Sequence, residues 1–251
     1  MVRLTVLGSC GAWPDRGRAC SGFLLESGDA RLVLDLGFGT LPRLLEHCSA
    51  REVSAVFVTH AHSDHCVDLH GLYRARSLPE PPSPPLPIYA LPDVVTRVGG
   101  LDGPEGPDRM RQRCAVHPVG PDETWEVGPF RLRTAALPHF IPNLGVRVEV
   151  EGLTIAYTGD TGPTPRVAEF ARGVDLFVCE ATYLEAPREG GERFLLTAAE
   201  AGRYAREAGV ARLMLTHFWP GEERSRSRAE AAREFAGEIL LAEEGLSLSL
   251  P

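Results

Sequence analysis

The amino-acid sequence predicts an α/β protein in which two central mixed sheets are flanked by helices on both outer sides, an αββα sandwich. Three observations support this fold class. Short β-rich runs form two groups along the chain, helix start signals stand out in the second half, and no internal repeat of solenoid period occurs. The 251 residues are enough to bury the core of one such unit, so we expect a single domain over residues 1–251.

The β-rich runs are separated by turns rich in glycine and polar residues. The first group comprises residues 3–7, 22–26, 31–36, 53–59 and 86–91, and the second comprises 130–137, 145–151, 153–158 and 175–179. Residues 79–87 contain too much proline for a helix or a central strand, so we predict a surface loop there rather than a domain boundary. Residues 93–113, rich in glycine, proline and charge, give no firm prediction.

Three stretches of the second half begin with a helix capping signal. These signals are Thr164 with Pro165, Thr197 with Glu200, and Ser227 with Glu230. The first pair places a proline in the first helical turn, where its missing N–H costs nothing, and Gly173 is a suitable stop. The other two have the Ser/Thr-x-x-Glu spacing of a capping box. We therefore predict a helix starting at each of the three.

Charge and apolar content exclude several function classes. A formal net charge of −8 opposes the basic footprint that long nucleic acids select, so a small-molecule substrate is expected instead. No apolar run approaches the roughly 20 residues that span a bilayer, so no membrane association is expected. The start lacks a signal-peptide pattern, and the six cysteines contain no Cys-x-x-Cys pair, which together favour a cytoplasmic protein with reduced thiols. The oligomeric state stays open, with a homodimer as one option.

The densest functional signal is the segment THAHSDH at residues 59–65, directly after the apolar run VSAVFV. It contains His60, His62, Asp64 and His65 on what we expect to be a tight turn after a strand, where alternate side chains can point into one cleft. Burying several imidazoles and a carboxylate together is costly without a cation. These donors suit zinc, and also manganese, iron or cobalt, whereas a magnesium site seldom contains so many histidines. The segment therefore predicts a metal site.

This HxHxDH segment resembles the first motif of the metallo-β-lactamase superfamily, and further motifs of that family follow in order over most of the chain. They are the Asp35-Leu36-Gly37 turn, Leu137-Pro138-His139, Thr158-Gly159-Asp160 and Leu215-Thr216-His217. The resemblance implies one metal on His60, His62 and His139. It implies a second on Asp64, His65 and His217, with Asp160 and a water or hydroxide shared between the two. Zinc is the expected ion, with manganese or iron as alternatives.

Asp35 and Glu180 each have two possible roles. Asp35 either orients a ligand imidazole or bonds to the backbone of its own turn. Glu180 either supports the site or merely ends a strand. His47, His70 and His117 have no ligand partners at recognisable spacing, so we interpret them as structural or surface residues.

Within the superfamily the chain most resembles ribonuclease Z-like phosphodiesterases, through LPHFIPNLGVRVE, TGDT and LTHF. Two departures argue against transfer-RNA processing. Only residues 140–159 separate His139 from Asp160, and two predicted strands fill them, which leaves no room for the long substrate-binding arm of ribonuclease Z. Leu195 stands where that family has a histidine that assists phosphodiester cleavage, and leucine cannot donate a proton.

The resemblance thus implies a metal-dependent hydrolase of a small phosphodiester, such as a cyclic nucleotide, in which Asp64 is catalytic and orients the attacking water. Two alternatives remain. A thioesterase or lactonase would use the same site without needing the histidine that Leu195 replaces, and a ribonuclease Z-like nuclease would need another group in its place.

Overall fold

A computed structural model describes residues 1–186 and 192–250, and its strands form two mixed sheets. In chain order the strands are β1 (Val2–Gly8), β2 (Gly22–Ser27), β3 (Ala30–Leu34), β4 (Ala55–Val58), β5 (Leu86–Ala90), β6 (Cys114–Pro118), β7 (Thr124–Val127), β8 (Phe130–Leu137), β9 (Asn143–Val150), β10 (Leu153–Tyr157), β11 (Leu176–Glu180), β12 (Arg212–Thr216), β13 (Glu238–Leu241) and β14 (Ser247–Leu250). The first sheet has the order β14-β1-β2-β3-β4-β5-β6, and the second has β13-β12-β11-β10-β9-β8-β7.

Helices cover the outer face of each sheet. They are α1 (Thr40–Leu44), α2 (Ser63–Cys66), α3 (Leu69–Ser77), α4 (Pro92–Gly99), α5 (Gly106–Arg113), α6 (Arg166–Phe170), α7 (Ala198–Ala208) and α8 (Arg224–Ala232), with short 3-10 turns at Ala50–Glu52 and Gly100–Asp102. Apolar residues of α1, α3, α4 and α5 pack on the first sheet, and those of α6, α7 and α8 pack on the second. The predicted αββα arrangement is confirmed. Over the described residues, no helix has the length and apolar character needed to span a membrane.

Both faces of each sheet are buried, which explains the nearly continuous apolar runs of the central strands. Alternate residues of a strand point to opposite faces. In β4, Phe57 enters the core between the sheets, whereas Val56 and Val58 pack against the helices of the first half. In β11, Val178 enters the same central core and Phe177 faces the helices of the second half. Three apolar layers therefore hold the sandwich together.

Most predicted elements are confirmed. Every predicted strand occurs, with ends within two residues of the predicted ones. Thr197 caps α7, its hydroxyl accepting the N–H of Glu200 at 3.2 Å. Helix α6 begins directly after Pro165, and Gly173 follows it with a φ of 65°. The proline-rich stretch forms an exposed loop between α3 and β5.

The predicted helix start at Ser227 is wrong. Helix α8 begins at Arg224, nearly one turn earlier, and Ser227 is buried inside it. The guanidinium of Arg224 donates a hydrogen bond to the carbonyl of Ala242 at 2.6 Å and lies 4.7 Å from the ring centre of Phe218. This tertiary anchor extends the helix beyond the local capping signal. Residues 93–113, for which the pattern gave no prediction, are mostly helical in α4 and α5.

Candidate metal centre

The carboxyl ends of several strands meet at one edge of the two sheets, as is usual for parallel strands in α/β folds. The segments that follow β4, β8, β10 and β12 bring all seven predicted ligand residues together there. Their donor atoms form two groups, each with its atoms within 4.8 Å of one another. The first group is His60, His62, His139 and Asp160, and the second is Asp64, His65 and His217.

Three imidazole nitrogens converge in the first group. Nδ1 of His62 lies 3.1 Å from Nε2 of His60 and 3.0 Å from Nε2 of His139. The other ring nitrogens already have acceptors, since Nδ1 of His60 lies 3.0 Å from the Thr59 hydroxyl and Nδ1 of His139 lies 2.9 Å from the Phe194 carbonyl. These partners assign the proton to Nδ1, which leaves both Nε2 atoms as acceptors. Both acceptor nitrogens face Nδ1 of His62, and three ring nitrogens that converge in this way fit a divalent metal.

The two imidazoles of the second group are held from behind by hydrogen bonds. Nδ1 of His65 lies 2.7 Å from Oδ2 of Asp35, and Nδ1 of His217 lies 2.8 Å from the hydroxyl of Thr182. The Nε2 atoms of both rings are buried and make no well-aligned hydrogen bond. Buried nitrogens of this kind are rare unless they serve a ligand, so the second group also fits a cation.

Asp160 lies between the two groups. Its Oδ1 is 3.1 Å from Nε2 of His217 and 3.2 Å from Nε2 of His65. Its Oδ2 is 3.4 Å from Nε2 of His139 and 3.8 Å from Nε2 of His60. Each oxygen therefore faces one group, which is the arrangement of a carboxylate that can be shared by two cations.

The carboxylate of Asp64 completes the second group. It lies in the first turn of α2, and its Oδ2 accepts the backbone N–H of Ala12 at 2.7 Å. The same oxygen is 3.4 Å from Nε2 of His217 and 3.8 Å from Nε2 of His65. The loop after β1 thus fixes the orientation of Asp64 from the protein side.

Backbone strain is concentrated at this site. Ala12, Asp35 and His217 have φ values of 61°, 59° and 57°, in the left-handed region that side chains with a Cβ rarely adopt. Each such residue costs about 1–3 kcal/mol and persists where the surroundings fix it. All three take part in the second group or its supports, so its geometry is maintained at an energetic cost.

Burial and neighbouring charges set the protonation of the cluster. Burial lowers the pKa of His60 well below its usual value, which keeps the imidazole in the neutral form that binds cations. Burial opposes the charged form of His65 as well, but the carboxylates of Asp160, Asp35 and Asp64 outweigh it and raise the pKa of that ring. A cation entering the second group therefore replaces a proton, which couples metal binding to proton release.

A family model described as a beta-lactamase superfamily domain matches residues 30–218, which contain every residue of both groups. The chain belongs to the metallo-β-lactamase superfamily. It is 35% identical over 243 residues to an uncharacterized protein of Mycobacterium tuberculosis, covering 95% of this chain and 88% of that protein. It is 31% identical to a ribonuclease Z of Nocardia farcinica, covering 99% of this chain and 97% of the ribonuclease.

A solved structure agrees with this assignment. The metallo-beta-lactamase fold protein YhfI of Bacillus subtilis superposes with a TM-score of 0.86 at 28% identity, covering 98% of both chains. The similarities place the chain in the ribonuclease Z-like branch of the superfamily. It is therefore a metal-dependent hydrolase with a His/Asp cluster suited to divalent metals.

Asp35 and Glu180, for which the sequence allowed two roles each, both support this site. Asp35 accepts hydrogen bonds from the Thr59 N–H at 2.8 Å and the Tyr157 hydroxyl at 2.8 Å, in addition to its contact with His65. Glu180 is fully buried and accepts the Thr182 hydroxyl at 2.6 Å, which extends the support behind His217. Burial and the charge of Asp160 raise the pKa of Glu180 to about 8.

Three groups that hold residues of the cluster in place were not identified from the sequence: the side chains of Tyr157 and Thr182 and the N–H of Ala12. Tyr157 lies in the YTGD string and could have been suspected from its place next to a motif, whereas a single threonine and a backbone N–H leave no sequence signal. His47, His70 and His117 lie outside both groups. Two of these have other partners, since His70 lies 3.1 Å from Asp102 and the ring of His117 stacks on Tyr89.

The metals would face a cleft of about 380 Å³. Its walls include His62, His139 and Asp160 together with Phe140, Tyr183, Leu195 and Trp219. Leu195 is buried in the wall, so its apolar side chain borders the position where substrate would bind. The cleft is therefore polar at the metal cluster and apolar or aromatic around it.

Proposed function

We propose that this hydrolase binds two zinc ions and hydrolyses a small phosphodiester such as a cyclic nucleotide. One ion is held by His60, His62 and His139, and the other by Asp64, His65 and His217. The observation that most supports two ions is the position of Asp160, whose two oxygens face different groups. Imidazoles with carboxylates are the donors that zinc prefers, and manganese or iron could replace it.

Divalent cations in this site supply Lewis acidity, which makes hydroxide available at neutral pH and neutralises charge on the substrate oxygens. The protein contributes orientation. Asp64, held by the N–H of Ala12, accepts a hydrogen bond from the attacking water and directs it toward phosphorus. The Asp35 and Thr182 contacts keep the His65 and His217 rings aligned, so the donors do not reorganise during turnover.

Three features support a small substrate. Strands β9 and β10 fill the chain between His139 and Asp160, where the family's arm would lie. The alignment with the Nocardia ribonuclease Z runs over 306 positions, so that enzyme has insertions that this 251-residue chain lacks. The net charge of −8 disfavours a long polyanion.

Leu195 supports a second candidate, a thioesterase or lactonase. In that chemistry the same residues would hold the metals, water would attack a carbonyl carbon, and no proton donor would be needed at the position that Leu195 occupies in the cleft wall. Within this superfamily fold, both candidates use the same ligands and differ in substrate alone.

Hydrolysis of bis(p-nitrophenyl) phosphate by zinc-loaded and manganese-loaded protein separates the candidates. We expect metal-dependent release of p-nitrophenol, its loss in Asp64→Ala, and its retention in the matched control Asp108→Ala, which removes an exposed carboxylate on α5. If the metal-loaded protein is inert toward phosphodiesters but cleaves a thioester or lactone, the phosphodiesterase proposal is wrong and the second candidate replaces it.

A further inference from the structure

Exposed aromatic side chains are concentrated at the mouth of the metal cleft. Among the described residues, the exposed large aromatic side chains are Trp13, Phe140 and Trp219, with exposed fractions of 46%, 62% and 37%. Phe140 and Trp219 line the cleft, and Trp13 follows Ala12, which also lines it. Exposing several large aromatic rings in one place is unfavourable unless a ligand covers them.

Trp219 and Tyr183 form two walls of a side pocket. This pocket has a volume of about 340 Å³, and both rings line it as well as the metal cleft. Their centres are 6.1 Å apart with an angle of 33° between the planes. Trp13 packs edge-on against Trp219, with ring centres 5.0 Å apart at 80°, and so fixes the plane of the Trp219 indole.

Short backbone connections tie this pocket to the second metal group. Trp219 follows His217 by two residues, and Tyr183 follows Thr182, whose hydroxyl contacts His217. The backbone of Tyr183 is held on both sides, because its N–H donates to Leu196 at 3.0 Å and its carbonyl accepts from Ala198 at 2.9 Å. The backbone of Tyr183 is therefore fixed beside the second group.

The rim of the side pocket carries both donors and acceptors. Arg226 and Glu222 line it and form an exposed pair at 3.9 Å, which contributes little to stability and can turn toward a ligand. The cavity that Phe140 lines differs from the side pocket in polarity, because it is lined mostly by proline and aliphatic residues. A flat ring with polar edges therefore fits the pocket of Trp219 better than the Phe140 side.

We propose that the exposed part of Trp219, braced by Trp13 and flanked by Tyr183, binds the planar aromatic group of the substrate, such as a nucleobase, while the phosphodiester lies at the metals. This inference rests on the proposed function and names the residues that select the substrate. Stacking of a base on an aromatic side chain is worth about 1–3 kcal/mol, or about 5- to 150-fold in affinity.

The activity test compares two cyclic phosphodiesters, adenosine 3′,5′-cyclic monophosphate and the base-free methyl ribofuranoside 3,5-cyclic phosphate, followed by ³¹P NMR with zinc-loaded protein. We expect Trp219→Leu to lower kcat/KM for the adenosine compound at least fivefold, mainly through KM, with less than a twofold change for the base-free one. Trp219→Phe, which keeps a ring, should restore most of the preference. Leu101→Ser, an exposed apolar residue outside the cleft, is the control for surface substitution.

Equilibrium binding tests the same inference without turnover. Calorimetric titration should show that adenosine 5′-monophosphate binds at least fivefold more tightly than ribose 5-phosphate, and that Trp219→Leu removes the difference. If the wild-type protein shows no such preference, or if Phe140→Leu removes it instead, the assignment to Trp219 is overturned. If both cyclic phosphodiesters are inert while the binding preference depends on Trp219, the phosphodiesterase proposal falls and the aromatic subsite stands.

Discussion

The two halves of the metal centre differ in how the protein supports them. His62 is partly exposed at the cleft, whereas the His139 side chain is buried, and behind the first group stand neutral partners, a threonine hydroxyl and a backbone carbonyl. The residues of the second group are buried, although Asp64 and His217 line the cleft, and their supports include the carboxyl groups of Asp35 and Glu180. The comparison indicates that the second group, called here the rigid half, has its geometry set by a buried polar network that includes carboxyl groups.

Removing the residue that both halves share should have the largest effect. For Asp160→Ala we expect activity to fall by more than about 100-fold, the upper end of what loss of a supporting residue costs, because in the proposed function Asp160 is a ligand of both ions. Elemental analysis after dialysis should show less than the wild-type metal content. Full metal content with near wild-type turnover would mean that Asp160 is not shared between two ions.

Breaking the support of the rigid half should have the next largest effect. Asp35→Asn keeps the size of the side chain but removes the charge that faces His65, so we expect metal affinity or activity to fall about 10–100-fold. Thr182→Val, which removes a neutral contact to His217, should have a smaller effect. Chelator competition measures both, and a larger loss in Thr182→Val would reverse the proposed ranking.

A steric change can disturb the second group without altering any ligand. A Cβ at Gly11 would lie 2.6 Å from Cε1 of His217, so Gly11→Ala should displace this imidazole. We expect activity to fall about tenfold, which is within the range observed when residues that hold metal ligands in place are mutated. Gly100→Ala is the matched control, because a Cβ there meets nothing within 4 Å. Thermal denaturation distinguishes local displacement from unfolding. Equal activity in the two variants would show that the His217 ring tolerates the shift.

The smallest effect concerns the pH dependence of stability. The pKa of Glu180 is raised to about 8, above the usual range of an unfolded glutamate, so the folded protein binds this proton more tightly. The corresponding stabilisation is fully present at low pH and is lost as pH rises through about 8. In chelator-treated protein, Glu180→Gln should therefore flatten the fall in unfolding free energy between pH 5 and 8. An unchanged slope in denaturant titrations would contradict this role.

That the candidate ligands lie together could be predicted from the sequence, because their pattern is local and dense. His60, His62, Asp64 and His65 follow one apolar strand, and the strand periodicity around the other motifs is equally clear. The structure brings all seven residues together, as the resemblance implies.

The supports could not be predicted in the same way, because they depend on tertiary contacts. The N–H of Ala12 reaches Asp64 across 52 residues, and the hydroxyl of Tyr157 reaches Asp35 across 122 residues. A tertiary contact also explains the error at α8, where Arg224 extends the helix past the local signal at Ser227. Local patterns therefore predicted the candidate donors but not the network that orients them.

Strand β14 has a consequence for how the molecule assembles. It pairs with β1, so that Val2 lies opposite Leu250 and the edge of the first sheet is completed by a strand from the far end of the sequence. Pairing of such distant segments requires closure of a very long loop, which slows folding. During synthesis on the ribosome β1 has to wait, with one edge unpaired, until residues 247–250 have emerged. An unpaired edge can bind other strands, so nascent chains should depend on chaperones more than the finished fold does.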